Sequence, residues 1–495
     1  MVSKPLSMER CEVEAIFDAG RERCVEFVVE MSARYEQRIG ALEARIERLG
    51  EQARQSSRNS SSPPSQDPPK TRAERRAQAR AKAKAWAKRE GEKREQGGQP
   101  GHEGAGRKLL PEDQINEFRD HYPDCCGGCG REFEGDEKTP SGRFGRHQVA
   151  DLPPVAIIYT EHRTHHLRCP SCGRQTAGKL PEEVAGSLFG VGVQAAVVTL
   201  TARNRVSRRD MGELARELFG LKMSVGAVDA ICQRAAKALQ GPHQQLVERV
   251  LASPALNVDE TGWFTEQKPR TMWTATTHWA AIFRICEDRH RDRLAELIGT
   301  NFNGVLCSDR WWAYDHIDPA SRQACWEHLK RDFYKHSEGL AEQKEFGSAG
   351  LALTKRLFKT WHAFEEHQDR GRLIAEMAPI QEELRTLVQH AARKSKRTRL
   401  HRRFAGNLLK IWPALFTFLT IEGVQPTNNA AERSLRGPVI YRKLSHGTQS
   451  EDGEHFIERA LSVSVTCRLQ ARSMFAYMRE LLAAHARGDP LPTLT

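Results

Sequence analysis

The chain has 495 residues, which is long enough for about three domains of ordinary size. Charged residues make up 28% of the chain and apolar residues 39%, as is typical of a soluble, globular protein with polar extensions. The net formal charge of +12 favours a polyanionic partner but does not require one, because many soluble enzymes are basic.

No stretch of the sequence predicts export or membrane insertion. The first residues, MVSKPLSMER, lack the apolar run of a secretory signal. The longest apolar stretch begins at Val191 and falls short of the ~18 residues that a membrane helix needs. Twelve cysteines, four of them in CxxC pairs, fit a reducing compartment better than a disulfide framework. We therefore expect a cytoplasmic protein with no membrane partner.

Residues 11–50 have the pattern of a coiled-coil helix. Apolar side chains recur at spacings of four and three, and their neighbours are rich in Glu and Arg. These residues are Val25, Val28, Tyr35, Ile39, Leu42, Ile46 and Leu49. A self-association helix is favoured because a linker follows at once, although an amphipathic helix packed on its own protein has the same pattern.

Residues 51–108 predict a linker without a packed core. Its first part, 55–70, is rich in Ser and Pro. Its second part, 71–108, holds 12 Lys and Arg residues against 5 Asp and Glu residues. Such a basic arm either becomes ordered on nucleic acid or stays a solvated tail, and the charge run does not decide between them.

Two CxxC pairs in residues 109–182 predict a small zinc-ribbon-like module. Gly or Pro at each turn lets two thiolates converge on one tetrahedral ion. The predicted ligands of this structural Zn²⁺ are Cys126, Cys129, Cys169 and Cys172. Cys125, His102 and His121 are alternative ligands, and a redox pair or buried thiols would be the alternative explanation.

Residues 183–250 predict helices throughout. One helix ends near Phe219, a turn contains Gly220, and Ser224 is placed to cap the next helix. This is the outline of a helix-turn-helix that reads DNA, but any packed helical hairpin has the same outline.

The region 251–335 changes to short strands in an α/β order. Two of these predicted strands end at an acid, Asp259 in NVDET and Asp309 in CSDRWW. Acids at the ends of neighbouring strands suit a hard cation such as Mg²⁺. Alternation along the strand favours Asp259 over Glu260. Asp315 and Asp318 remain alternatives to Asp309, and any single acid at a strand end can simply be a turn former.

Four motifs resemble those of the insertion sequence 66 family of bacterial transposases. They are DET-G-W, SDRW-AYD, CW-H-L-RD at 325–332 and NN-A-ER-LR at 428–436. The order of modules agrees as well, over residues 25 to 485. The resemblance implies an RNase H-like α/β core, a mixed sheet with flanking helices, over 251–335 and 421–485. It also implies a DDE triad of Asp259, Asp309 and Glu432 that holds Mg²⁺ or Mn²⁺.

Further residues are secondary candidates. His328 matches the family pattern, but a packed or capping His is an equal interpretation. Asn428 or Asn429 is placed to cap the helix that carries Glu432. Residues 336–420 predict a helical insertion, whose basic run 392–403 would face DNA or form a solvated connection. Candidate DNA contacts are Arg433, Arg436 and Lys443, although surface ion pairing explains the two arginines equally well. Trp311 or Trp312 would stack on an exposed base, with core packing favoured for at least one of them.

The resemblance implies a transposase that binds the terminal repeats of its element, cuts at their ends and joins them to double-stranded target DNA. The predicted coiled coil and the need to hold two DNA ends together favour a homo-oligomer. The resemblance also implies action on the bacterial nucleoid, with small accessory proteins as further partners. Two alternatives remain: a non-catalytic zinc-containing DNA-binding protein, and a metal-dependent nuclease without strand transfer.

Overall fold

A computed structural model gives the fold of residues 10–53, 76, 109–135, 146–151, 157–300, 302–339, 341–393, 398 and 401–494. The chain divides into two compact units. One comprises Met1–Pro68, His162–Leu214 and Lys222–Thr495, and the other comprises Pro69–Glu161 and Ala215–Leu221. No helix in these described ranges is both long and apolar enough to cross a membrane.

The N-terminal region forms two helices, α1 (Arg10–Asp18) and α2 (Arg21–Ala53). They separate at Gly20, whose φ of +98° suits glycine. The predicted helix is therefore confirmed, with a break that the apolar spacing does not reveal. Along α2 the side chains of the predicted stripe that the structure describes are solvent-exposed, with Val28 64% and Ile39 53% exposed. The linker predicted over 51–108 lies almost entirely outside the described residues.

A short antiparallel hairpin of β1 (His166–Arg168) and β2 (Gln175–Ala177) surrounds the second CxxC pair. Five helices follow it: α3 (Glu182–Ala185), α4 (Val191–Ala202), α5 (Arg208–Phe219), α6 (Val225–Ala238) and α7 (Gln240–Leu251). Ser224 caps α6, since its hydroxyl accepts from the Ala227 N–H at 3.1 Å. The helix ends predicted at Phe219 and Ser224 are thus confirmed.

The centre of the larger unit is a mixed five-stranded sheet. Its strands are β3 (Ala255–Thr265), β4 (Lys268–Thr276), β5 (Ala281–Cys286), β6 (Val305–Ser308) and β7 (Arg322–Ala324). The strand order is β5-β4-β3-β6-β7. The first three strands pair antiparallel, while β6 and β7 run parallel to β3. The α/β interpretation of this region is therefore confirmed.

Helix α8 (Arg291–Ile298) connects β5 to β6, and α9 (Trp326–Ser337) follows β7. A helical insertion comes next, with α10 (Ala341–His367), α11 (Arg370–Ala392), α12 (Arg402–Lys410) and α13 (Thr417–Thr420). The chain then returns to the sheet with α14 (Asn429–Ser445), α15 (Glu451–Leu469) and α16 (Met474–Arg487). The region predicted as a helical insertion therefore consists of helices in its described part, while half of its basic run 392–403 lies outside the described residues.

Both edges of the sheet are covered. Along β5, three backbone N–H groups donate to side chains spaced four residues apart on α15: Glu458, Ser462 and Thr466. This spacing places the three acceptors on one face of the helix. At the other edge, the Phe418 N–H donates to the Gln323 side chain on β7 at 2.9 Å. Covered edges offer no template for pairing with another chain.

The insertion crosses α9 at glycines. A methyl group on Gly347 of α10 would overlap the backbone of His336 and Ser337, and one on Gly350 would overlap the Phe333 ring. These glycines let the two helices approach closely, so the insertion packs against the element that follows the sheet edge.

We predict that Gly347→Ala lowers the stability of the protein by about 1–3 kcal/mol, because the added methyl meets backbone that cannot move alone. Alanine normally stabilises a helix interior by about 1 kcal/mol relative to glycine. Gly406→Ala in α12 is the matched control, since nothing lies within 4 Å of its added methyl. Thermal unfolding followed by circular dichroism should show opposite shifts, and equal shifts would contradict the packing.

Candidate active site

The parallel strands bring Asp259, Asp309 and Cys325 to one level of the sheet. Asn257 pairs with Cys307, and Ser308 pairs with Ala324. Continuing both registers places Asp259 level with Asp309, and Asp309 level with Cys325. Asp259 does not end its strand as predicted, because the hairpin with β4 extends β3 to Thr265. It lies instead where the shorter neighbour β6 ends.

The side chain of Asp259 lies on the face of the sheet that the alternation of residues along β3 predicted. Leu256 and Val258 are fully buried, while Asn257 and Asp259 are half-buried on the other face. Burial raises the pKa of Asp259 well above its ordinary value, and the charges of Glu260, Asp309 and Glu432 raise it further. The carboxylates therefore lie close enough to repel one another, and a cation among them would relieve that repulsion.

Asp309 is the first residue after β6. One of its carboxylate oxygens, Oδ1, accepts from the Trp311 N–H at 2.8 Å, which fixes the orientation of the carboxylate. Burial, followed by the charge of Glu260, raises the pKa of Asp309 to about 6. Its carboxylate is thus ionised at neutral pH, as metal binding requires.

Glu432 lies in the first turn of α14, and Asn428 determines where that helix begins. Asn428 occupies the N-cap position, but its side chain makes no capping hydrogen bond, so the capping role predicted for it is wrong. Its buried amide donates instead to the Val258 carbonyl at 2.8 Å. Its backbone N–H donates to the Cys325 thiol at 3.2 Å. These bonds attach the start of α14 to the strand residue that precedes Asp259.

His328 lies one turn into α9 and faces Glu432. Its Nδ1 is 3.7 Å from Glu432 Oε1, and the same oxygen is 3.7 Å from Nη2 of Arg331. Burial, with the nearby charges of Arg331 and Arg310, lowers the pKa of His328 to about 3, so its ring is neutral. Within the described residues its buried Nδ1 has no hydrogen-bond partner. The structure therefore brings this secondary candidate to the third acid.

The sequence interpretation did not identify the partners of Glu260. Its carboxylate forms an ion pair with Arg289 and accepts from the Tyr314 hydroxyl at 2.9 Å, and only 3% of its side chain is exposed. Arg289 in turn lies over the Trp311 ring, 4.5 Å from the ring centroid. Arg331 was missed too, although its spacing of three from His328 predicts the same helix face. The contacts of Arg289 and Tyr314 depend on the fold and have no local signal.

The predicted DNA contacts lie on exposed surface. Arg433, Arg436 and Lys443 are exposed on α14, and no ion pair is found for them within the described residues. Trp312 is 47% exposed and Trp311 is half-buried, with ring centroids 5.9 Å apart. Trp312 therefore offers an open aromatic face next to Asp309.

The two CxxC pairs have the same local geometry. In the first, Cys126 N–H donates to the carbonyl five residues later at 2.8 Å and its own carbonyl accepts from Gly130 at 2.9 Å. In the second, Cys169 repeats both bonds at 2.9 Å, with Gly173 as the donor. Gly130 and Gly173 have φ values of +75° and +72°. Backbone N–H groups within each turn lower the pKa of Cys126 and Cys169, as suits thiolate ligands.

Comparison with known proteins gives two family matches. The family model described as "Transposase IS66 family" matches residues 186–455, more than half of the chain. A model described as "Family of unknown function (DUF6444)" matches residues 10–108. Two uncharacterized proteins of Sinorhizobium fredii (strain NBRC 101917 / NGR234), y4hP and y4qI, are 26% and 23% identical to the chain. These alignments cover 41% and 42% of this chain and 40% of each relative. The chain thus spans about two fifths of the length of the curated relatives it matches.

We predict that Asp309→Asn stabilises the metal-free protein at pH 8 by about 1–2 kcal/mol, because it removes one repelling carboxylate. A raised carboxyl pKa means that the ionised form destabilises the fold. The destabilisation by ionised Asp309 is small below pH 4 and grows as the pH rises from there to about 6. The gain in melting temperature should therefore shrink between pH 6 and pH 4. Glu422→Gln, at an exposed acid, is the control, and a gain that does not depend on pH would contradict the assignment.

Proposed function

Because this chain belongs to the IS66 family of transposases, we propose that it cuts DNA at the ends of its element and joins those ends to target DNA. The observation that carries the proposal is the placement of Asp259 and Asp309 at one level of two neighbouring parallel strands, with Glu432 in the first turn of the helix bonded to Val258. The charges of Asp309 and Glu432 both raise the pKa of Asp259, so the three acids lie near one another although they are far apart in sequence.

We propose that the core has an RNase H-like fold. Three antiparallel strands extended by two parallel ones, in the order β5-β4-β3-β6-β7, support this assignment. Helices α14 and α15 pack on the sheet, and the insertion between α9 and α14 lies outside the minimal core. The core would then comprise 251–335 and 421–485, as the sequence predicts.

Asp259, Asp309 and Glu432 would hold Mg²⁺ or Mn²⁺. The donor set fits, since carboxylate oxygens are the ligands that these hard cations prefer. The mutual repulsion that raises the pKa of Asp259 also favours a cation at this position. Such an ion, when bound, lowers the pKa of the attacking water and neutralises charge on the phosphate.

The residues of the chain would orient two successive displacements at phosphorus. In the first, water attacks at an element end and the P–O3′ bond breaks, which leaves a 3′-hydroxyl. In the second, that 3′-oxygen attacks a phosphodiester of target DNA and releases a 3′-oxygen of the target strand. The Trp311 N–H holds the Asp309 carboxylate in place, and Asn428 holds the helix of Glu432. Fixed carboxylates lower the reorganisation that each step needs.

Exposed cations beside the triad would bind the DNA backbone. Arg433 and Arg436 follow Glu432 by one and four residues, and Lys443 lies two turns further along α14. We propose that these side chains contact phosphates and that Trp312 stacks on an unpaired base next to the cleavage position. The helical region 183–250 would bind the terminal repeats.

We predict that Asp259→Asn, Asp309→Asn and Glu432→Gln each lower end cleavage and joining by at least about 100-fold while end binding persists. The assay uses a supercoiled donor plasmid with Mg²⁺, and binding is measured separately by gel shift. Asp318→Asn is the matched control, because this exposed acid only caps a 3₁₀ turn. If Asp309→Asn still cuts, the triad is wrong. Wild-type cleavage without joining indicates a nuclease, and binding without cleavage indicates a non-catalytic DNA-binding protein.

We propose that Cys126, Cys129, Cys169 and Cys172 hold one structural Zn²⁺. Each pair independently forms the same turn, with its glycine in the left-handed region and backbone N–H groups directed at the first thiol. Four protein ligands would leave no open position, so this ion would have no catalytic role.

We predict one bound zinc per chain in the wild type and its loss in the Cys126→Ser, Cys169→Ser double variant. Metal analysis of purified protein measures both. Cys125→Ser is the matched control, since this neighbouring thiol is exposed and lies outside the pair. Metal-free wild type, or equal zinc loss in the control, would overturn the assignment.

The exposed apolar stripe of α2 would mediate self-association, because two DNA ends must be held together for joining. We propose a homo-oligomer that acts on the nucleoid in the bacterial cytoplasm, with small accessory proteins of the same element as partners.

A further inference from the structure

A second group of metal-ligand side chains lies beside the three acids. Cys325, His328 and Glu432 each offer one ligand atom, and these atoms all lie within 4.8 Å of one another. Cys325 occupies the N-cap position of α9, His328 lies one turn later, and Glu432 arrives on α14. The fold therefore brings a thiol, an imidazole and a carboxylate to one point.

The His328 and Glu432 ligand atoms lie close together without a hydrogen bond between them. His328 Nδ1 is buried and, among the described residues, has no hydrogen-bond partner, yet it lies 3.7 Å from Glu432 Oε1. A hydrogen bond would need a distance nearer 3 Å, so the two atoms face each other without bonding. Ligand atoms around one tetrahedral zinc ion lie at a similar separation, since each is about 2.0–2.3 Å from the metal.

The chemistry of the donors differs from that of the carboxylate triad. A thiolate and an imidazole select zinc and similar borderline-soft cations, whereas Mg²⁺ prefers oxygen ligands. Three protein ligands leave a fourth position open, which is filled by water in many zinc sites. This group therefore recognises a different cation from the one that Asp259 and Asp309 would hold.

We propose that Cys325, His328 and Glu432 bind Zn²⁺ or another thiophilic divalent cation, and that this binding inhibits the enzyme. Glu432 is the third acid of the triad, and one carboxylate oriented toward Cys325 and His328 is withdrawn from Asp259 and Asp309. The binding half of the proposal is independent of the catalytic assignment, while the inhibition half rests on the proposed function.

The residues around this group allow a cation to replace the contact between Arg331 and Glu432. Arg331 lies 3.7 Å from Glu432 and would have to give up that contact, and its side chain is 34% exposed and free to turn outward. Cys325 accepts a hydrogen bond from the Asn428 N–H, a contact that a metal-bound thiolate keeps.

Cobalt absorption tests the binding directly. Co²⁺ bound by a thiolate gives a charge-transfer band, and the full-length Cys126→Ser, Cys169→Ser variant removes most of the signal from the CxxC pairs. In that background we expect a band at one equivalent of Co²⁺ that is lost in Cys325→Ser. His328→Asn and Glu432→Gln should weaken Co²⁺ binding at least tenfold without altering a core thiol. Cys307→Ser, at a buried cysteine of β6, is the matched control.

A band that persists unchanged in Cys325→Ser, or none in the parent variant, would overturn the site. If Cys325→Ser fails to fold, unchanged Co²⁺ affinity in both His328→Asn and Glu432→Gln would overturn it equally.

Zinc titration of Mg²⁺-dependent end cleavage tests the inhibition. The Zn²⁺ concentration for half-inhibition, relative to the zinc-free rate of each protein, should rise at least tenfold in Cys325→Ser. An unchanged value would overturn inhibition through this site. A protein that binds Co²⁺ through Cys325 but never cuts DNA would instead overturn the proposed function and leave the metal site standing.

Discussion

The arrangement of the candidate active site depends on one buried side chain. Asn428 is 1% exposed, and its amide and backbone N–H connect the start of α14 to Val258 on β3 and to Cys325 after β7. About a hundred residues separate Cys325 from Asn428, so no local preference brings them together. These bonds place Glu432, one turn later, beside the strand that carries Asp259. The Asn428 Oδ1 atom is buried without a partner among the described residues, a cost of about 1–3 kcal/mol that packing elsewhere must offset.

The helical insertion can return the chain to this position because its core is continuous with that of the sheet. Its buried apolar residues form one cluster with Val305 on β6 and Trp326 on α9, and this cluster continues through α10, α11 and α12. The Trp326 indole N–H donates to the Leu415 carbonyl at 2.7 Å, which connects the last part of the insertion to α9, the helix that precedes it. Because the insertion is packed, it returns the chain to the sheet at a defined position. Its length therefore does not alter where Glu432 lies. Function at one end of the sheet thus depends on packing well away from it.

Local patterns in the sequence predicted the helices and strands well but predicted the contacts between them poorly. Alternation along β3 gave the correct face for Asp259, since period two follows directly from strand geometry. The strand end assigned to Asp259 was wrong because pairing with β4, which is a contact between strands, extends β3. Capping preference suggested a local role for Asn428, but a buried amide bonds to whatever acceptor the fold supplies. The partners of Glu260 were missed for the same reason. The triad itself was inferred through family resemblance, because no spacing rule joins Asp309 to Glu432.

Iron-dependent cleavage of the protein backbone tests most directly that Asp259, Asp309 and Glu432 form one metal site. Fe²⁺ bound in place of Mg²⁺ reduces added hydrogen peroxide to hydroxide and a hydroxyl radical, and the radical cuts the chain next to the ion. We expect cuts near all three residues, which Mg²⁺ suppresses together and Asp309→Asn abolishes together. Cuts confined to one or two of the three positions, or cuts that survive in Asp309→Asn, would contradict it.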